Sequence, residues 1–129
     1  TTEIYTLSLH DALPILKKVG SLLQASADIA CCLAEADENT RQVMNAYALN
    51  LGMAYQMIED IEADYARGSD GLDDEYVPVS KASYTGLLGF DKARKNVENM
   101  LEESKRMLKP YSNNAVLLEF VAMIKERLP

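Results

Sequence analysis

Between Tyr55 and Asp64 the chain reads YQMIEDIEAD, which places four carboxylates, Glu59, Asp60, Glu62 and Asp64, within six positions. On a helix Asp60 and Asp64 stand one turn apart on the same face. A carboxylate cluster on the apolar side of a long helix is costly unless cations meet it. Hard oxygen donors of this kind suit Mg²⁺, which keeps several waters and bridges to substrate phosphates. The same run also reads as the solvated acidic end of an amphipathic helix. Lysines give a second signal: Lys18 precedes Val19-Gly20, and Lys81 lies within Ser80-Lys81-Ala82-Ser83-Tyr84. Each could meet a diphosphate as a point charge, and each could equally be a surface lysine.

Other chemistries are excluded by composition. The only histidine is His10, so beyond the first fifteen residues no Ser–His, Cys–His or His–metal arrangement can form. Cys31 and Cys32 are adjacent, point ~100° apart on a helix, pair poorly and lack zinc spacing. They read as reduced thiols packed as small apolar residues in a cytoplasmic protein. A formal charge of −7 argues against nucleic acid or an anionic membrane as partner. No apolar run approaches the ~20 residues of a membrane span.

The elements that must position these groups are helical throughout. Lys17–Ala36 carries Val19, Leu22, Leu23, Ser26, Ile29, Ala30 and Leu33 in the i, i+3, i+4 stripe of a core-facing helix. Asp37–Asn39 breaks it, and Asn39 or Thr40 caps a second helix running to about Arg67. There Val43, Met44, Tyr47, Leu51, Tyr55, Ile58 and Ile61 face inward, while Gly52 and Ala54 leave little side chain halfway along. Residues 68–79 read as an acidic loop containing Asp70, Asp73, Asp74 and Glu75. Ser80 caps a short helix to Leu88. Asp91 caps Lys92–Lys109, with Ala93, Val97, Met100, Leu101 and Leu108 inward, and Pro110 ends it. Asn113 or Asn114 begins the last helix, with Leu117, Leu118, Val121 and Ile124 inward. No strand pattern appears, so the fold is all-α.

Thr1–Ile15, TTEIYTLSLHDALPI, has no charged n-region and is interrupted by His10, Asp11 and Pro14, unlike a signal peptide. Its Ser8–Ile15 stretch is what a common sequencing-library adapter encodes. The expectation is that residues 1–15 are a translated adapter and residues 16–129 are native. A native N-terminal part would then be missing, and setting aside Glu3 and Asp11 takes the formal charge from −7 to −5.

Taken in order, Lys18-Val19-Gly20, Tyr55-Gln56-x-x-Glu59-Asp60 and Ser80-Lys81-Ala82-Ser83-Tyr84-x-x-Leu87-Leu88-Gly89 resemble the C-terminal half of trans-isoprenyl diphosphate synthases of the farnesyl and geranylgeranyl type. No single motif is specific; the ordered set is. The resemblance implies the C-terminal part of an isoprenoid-synthase-type helical bundle. It implies a cytoplasmic, Mg²⁺-dependent prenyltransferase that joins isopentenyl diphosphate to an allylic diphosphate and makes a short-chain prenyl diphosphate. A homodimer is implied for the full-length protein. The leaving diphosphate carries several negative charges, so its ionisation needs concentrated positive charge and little water. By the same resemblance, Lys18 and Gln56 have catalytic roles. Lys18, Gln56 and Lys81 meet the allylic diphosphate, and Glu59, Asp60 and Asp64 hold metal. Apolar and small residues of the long helix line the prenyl tunnel.

The sequence departs from the family pattern in ways that bear on chemistry. Where the family has Asp-Asp-x-x-Asp, this chain has Glu59, Asp60 and, last, Ala63. Asp64 comes one step late, rotated ~100°. Val19 lacks the hydroxyl of the usual Thr, and the acidic stretch from Gly68 to Glu75 replaces a Gly-Lys-rich loop. The chain alone is therefore expected to be inactive. The alternative is a non-catalytic helical homologue acting as a partner or regulatory subunit, and a third possibility is a plain helical interaction module.

Overall fold

The structure of the chain, a computed structural model, describes residues 19–69 and 84–129. These form five helices: α1 (Ser21–Leu33), α2 (Glu38–Ser69), α3 (Tyr84–Leu88), α4 (Phe90–Leu108) and α5 (Ala115–Glu126). No strand occurs among the described residues. The all-α expectation holds, and the boundaries move by a few residues. The expected adapter segment and the acidic loop from Asp70 onward lie outside the described residues.

α2 is the axis of the molecule. Its 32 residues span roughly 48 Å at ~1.5 Å each. It is rich in Ala, Leu, Met, Glu and Gln and contains no proline, which favours a long uninterrupted helix. Its cap is Asp37, not Asn39 or Thr40: Asp37 Oδ1 accepts from the Thr40 backbone N–H at 2.7 Å. That bond holds the Asp37 carboxyl below the usual carboxylate range. The break before it comes at Glu35, which adopts φ 51°. The Glu35 and Ala36 N–H groups donate back to the carbonyls of Cys32 and Cys31 at 3.2 and 2.9 Å. This left-handed turn satisfies the last carbonyls of α1.

Tyr47, Leu51, Ala54, Met57, Ile58 and Ile61 of α2 pack against Ala93, Val97, Leu101 and Leu108 of α4 and Val121 of α5. Each large side chain so buried is worth about 1.5–3 kcal/mol. The inward positions expected of α2, α4 and α5 are therefore largely the ones found. Gly89, at φ 81°, lets α3 run into α4 across a single residue, a conformation that favours glycine. Helix α4 starts at Phe90, so Asp91 sits in its first turn rather than capping it. Tyr47 Oη donates to the Leu117 carbonyl at 2.8 Å, and Glu102 bridges α4 to Lys125 of α5 at 3.4 Å.

Helix α1 corrects the sequence reading. Of the stripe expected to face the core, Leu23 packs inward, but Leu22, Ile29 and Leu33 are turned outward at 69%, 62% and 82% exposed. Gly20, Leu23 and Gln24 meet α2, and Cys31 is buried. Polar bonds fix that face: Gln24 Nε2 donates to Asn45 Oδ1 at 2.6 Å, and Asn45 Nδ2 donates to Asp28 Oδ1 at 2.7 Å. Cys31 is buried and Cys32 exposed, both as free thiols.

Candidate functional site

The C-terminal half of α2 carries the acid-rich motif, and helix geometry sets its layout. At ~100° per residue, Tyr55 and Glu62 share one face. Glu59, Ala63, Gln56, Asp60 and Asp64 follow in that order round an arc of about 200°. The core meets α2 on the opposite side, through Ile58 and Ile61, both fully buried. Ala63, which stands where the family pattern has a carboxylate, lies at the centre of the arc, and Asp64 at its far edge.

Gln56 is 6% exposed, and its Oε1 has no hydrogen-bond partner among the described residues. A buried amide oxygen left unmet costs about 1–3 kcal/mol, so such a group in a native fold calls for a donor. Glu59, Asp60 and Asp64 are half-buried. Thr85 of α3 is likewise buried, and its hydroxyl has no hydrogen-bond partner among the described residues. Lys18 and Lys81 lie outside the described residues. Gln56 and the three expected carboxylates thus share one helix, spread over about 140° of its circumference.

Two further features shape this arc. A Cβ on Gly52 would stand 2.9 Å from Gly20 Cα and 3.3 Å from Leu23 Cδ1, so the backbones of α2 and the lead-in to α1 touch there. Gly20 and Leu23 take the space beside Gly52. One turn on from that contact comes Gln56. At the near edge of the arc, Arg127 Nη2 and Nε meet Glu62 Oε2 and Oε1 at 2.6 and 3.2 Å. Its guanidinium carbon lies 4.8 Å from the Tyr55 ring centroid. Hydrogen bonding to Glu62 raises the Arg127 pKa further above its already high ordinary value. No sequence signal announced this pair, which joins positions 65 apart.

The donor set is hard oxygen throughout, as Mg²⁺ prefers. Among the described residues no three His, Cys, Asp or Glu side chains gather closely enough to hold a metal ion by themselves. Asp60 and Asp64, one turn apart, offer the footing of one or two carboxylates on which Mg²⁺ binds beside phosphates. The residues present thus offer carboxylate oxygens of the kind Mg²⁺ takes, on one helix. No helix among the described residues is long and apolar enough to cross a membrane.

The described residues form an all-α arrangement whose longest helix carries a buried glutamine and the acid-rich run, and comparison with known proteins places the chain. The chain is 31% identical over 112 residues to the geranylgeranyl diphosphate synthase of Cyanophora paradoxa, covering 83% of this chain and 36% of that protein. It is 29% identical over 106 residues to a dimethylallyltranstransferase of Fischerella ambigua (strain UTEX 1903), covering 78% and 30%. Against the farnesyl diphosphate synthase of Escherichia coli (strain K12) it is 27% identical over 106 residues, covering 77% and 34%. The chain belongs to the trans-isoprenyl diphosphate synthase family, and it spans about a third of the length of these curated relatives. No family model matches it, and no solved structure does.

Proposed function

We propose that this chain forms part of a Mg²⁺-dependent prenyltransferase that condenses isopentenyl diphosphate with an allylic diphosphate to give a short-chain prenyl diphosphate. The whole enzyme would act in the cytoplasm as a homodimer. The observation that carries the reading is the buried, unpartnered Gln56 Oε1 one turn before Asp60. The names of the relatives agree with it.

In this proposal each group has a task. Asp60 and Asp64, with Glu59 beside them, hold Mg²⁺ against the diphosphate. When bound, Mg²⁺ supplies the positive charge that an ionising diphosphate requires. Gln56, held rigidly by its burial, orients its amide toward the substrate and limits how the reacting end can turn. Lys18 and Lys81 supply point charges to the same diphosphate.

The test begins with the gene. Its sequence read upstream, in frame with Leu16, is expected to encode a second Asp-rich helix. A protein extended by that segment should lengthen an allylic diphosphate only when isopentenyl diphosphate and Mg²⁺ are both present, and Q56A should depress kcat by tenfold or more. An extended protein that carries the second motif, folds and yields no longer product would overturn the proposal.

A further inference from the structure

We propose that Gly20 and Gly52 are positioning residues for the proposed diphosphate site: their backbone contact sets how closely the chain leading into α1 passes Gln56. This rests on the reading of Lys18 and Gln56 as diphosphate-binding residues. Both glycines are buried. Glycine inside a helix gives up stability that alanine would supply, so its presence at position 52 of α2 asks for a reason. The reason in the structure is distance: a Cβ there would stand 2.9 Å from Gly20 Cα and 3.1 Å from Gly20 N. No other residue type lets the two backbones come so near.

Helix α1 runs antiparallel to α2. Gly20 faces Gly52, while Gln24 and Asp28, further along α1, share Asn45 of α2 at 2.6 and 2.7 Å. Traced backwards from Gly20, the chain therefore heads toward the C-terminal half of α2. One turn on, on the same side of α2, stands Gln56, ~6 Å along the axis from Gly52 and ~40° round it. Its Oε1 is buried without a hydrogen-bond partner among the described residues, an acceptor that calls for a donor. Val19 is half-buried on this path, and Lys18, outside the described residues, is joined to it by one peptide bond. The glycine contact therefore sets the spacing across which that amide and the Lys18 ammonium would grip one diphosphate.

The experiment uses the full 129-residue chain with inorganic pyrophosphate and Mg²⁺, and reads affinity by isothermal titration calorimetry. The unmodified chain should bind pyrophosphate, and K18M should weaken binding about tenfold or more, because a charged hydrogen bond to phosphate is lost. In G52A the new Cβ must move from 2.9 Å out to the 3.4–4 Å of ordinary contact, which parts the backbones by about 0.5–1 Å. That variant should bind about three- to tenfold more weakly. K18R, with its longer side chain, should restore most of the loss in the G52A background and add nothing in the unmodified one. V121A, which loosens the core at α5, should leave affinity within about twofold, since separate sites act independently. If V121A weakens binding as much as G52A, or if K18R fails to rescue G52A or helps both backgrounds alike, the contact is structural only and the proposal is overturned. Binding that K18M weakens and G52A leaves alone also overturns it, while the diphosphate reading stands. No pyrophosphate binding by the unmodified chain, or binding that K18M leaves alone, overturns the diphosphate reading and this proposal with it. Should G52A fail to fold, N45A cuts both polar bonds that hold α1 on α2. It is expected to weaken binding about threefold, and unchanged affinity in N45A would then count against the proposal.

Discussion

At the scale of single residues, Tyr47 shows how burial turns a side chain into a pH-dependent support. Its hydroxyl donates to the Leu117 carbonyl, tying α2 to α5, and burial pushes its pKa up from 10.0 to about 12. A raised folded-state pKa means that the folded form holds the proton more tightly. The stability it supplies is therefore complete below pH 10 and is lost as pH rises from about 10 to about 12. Urea titrations of the chain should show this decline above pH 10. Y47F should lower stability at pH 8 by about 1 kcal/mol and lose this part of the alkaline decline. A second residue-scale expectation concerns Ala63, at the centre of the arc that Glu59, Gln56 and Asp60 occupy. A63D should tighten Mn²⁺ binding by about tenfold; an unchanged affinity would mean that Asp64 or Glu59 already fills the place.

At the scale of elements, the contact of Gly20 with Gly52 sets where α1 meets α2. An Ala in a helix interior ordinarily gains about 1 kcal/mol over Gly. Here the sign should reverse, because a Cβ at Gly52 would meet the backbone of Gly20 at 2.9 Å. G52A is expected to destabilise the chain by about 1–3 kcal/mol, read from the midpoint of urea unfolding. Glu35 gives the opposite case. It sits at φ 51°, where an L side chain costs free energy and glycine does not. E35G should raise stability by roughly 0.5–1 kcal/mol, and a loss of stability would show that the Glu35 side chain has a partner worth more than the strain. The same elements show what could be read in advance. Helices α2, α4 and α5 follow their apolar periodicity because each packs against apolar neighbours on one side. Helix α1 does not, because glycine contact and the Gln24–Asn45–Asp28 bonds choose its inward face. Those forces depend on a partner helix and leave no periodic trace.

At the scale of the whole molecule, the outward row of Leu22, Ile29 and Leu33 is a concentrated apolar surface, and Val116, Phe120 and Met123 of α5 add a second. Contiguous apolar patches of this kind drive association in water. The 129-residue chain should self-associate at micromolar concentration, measured by light scattering after size exclusion. L22Q/I29Q/L33Q should reduce that association while leaving the melting temperature within a few degrees, since those side chains bury little. The chain spans about a third of its relatives' length, and in the proposed function it supplies one side of a metal–diphosphate site. Incubated with Mg²⁺ and both diphosphates, it is expected to give no lengthened product; turnover by the chain alone would contradict the proposed division of labour.

The sequence by itself determined the helical class, the inward faces of α2, α4 and α5, the acid motif beside Gln56 and, through the order of its motifs, the family. These are properties of spacing along one chain, and the 3.6-residue period or a fixed gap expresses them locally. Only the tertiary structure decided which face of α1 turns inward, that Gly20 and Gly52 touch, and that Arg127 pairs with Glu62. Each of these joins positions far apart in the chain. The outcome is set by packing and charge between surfaces that do not exist until the helices have met.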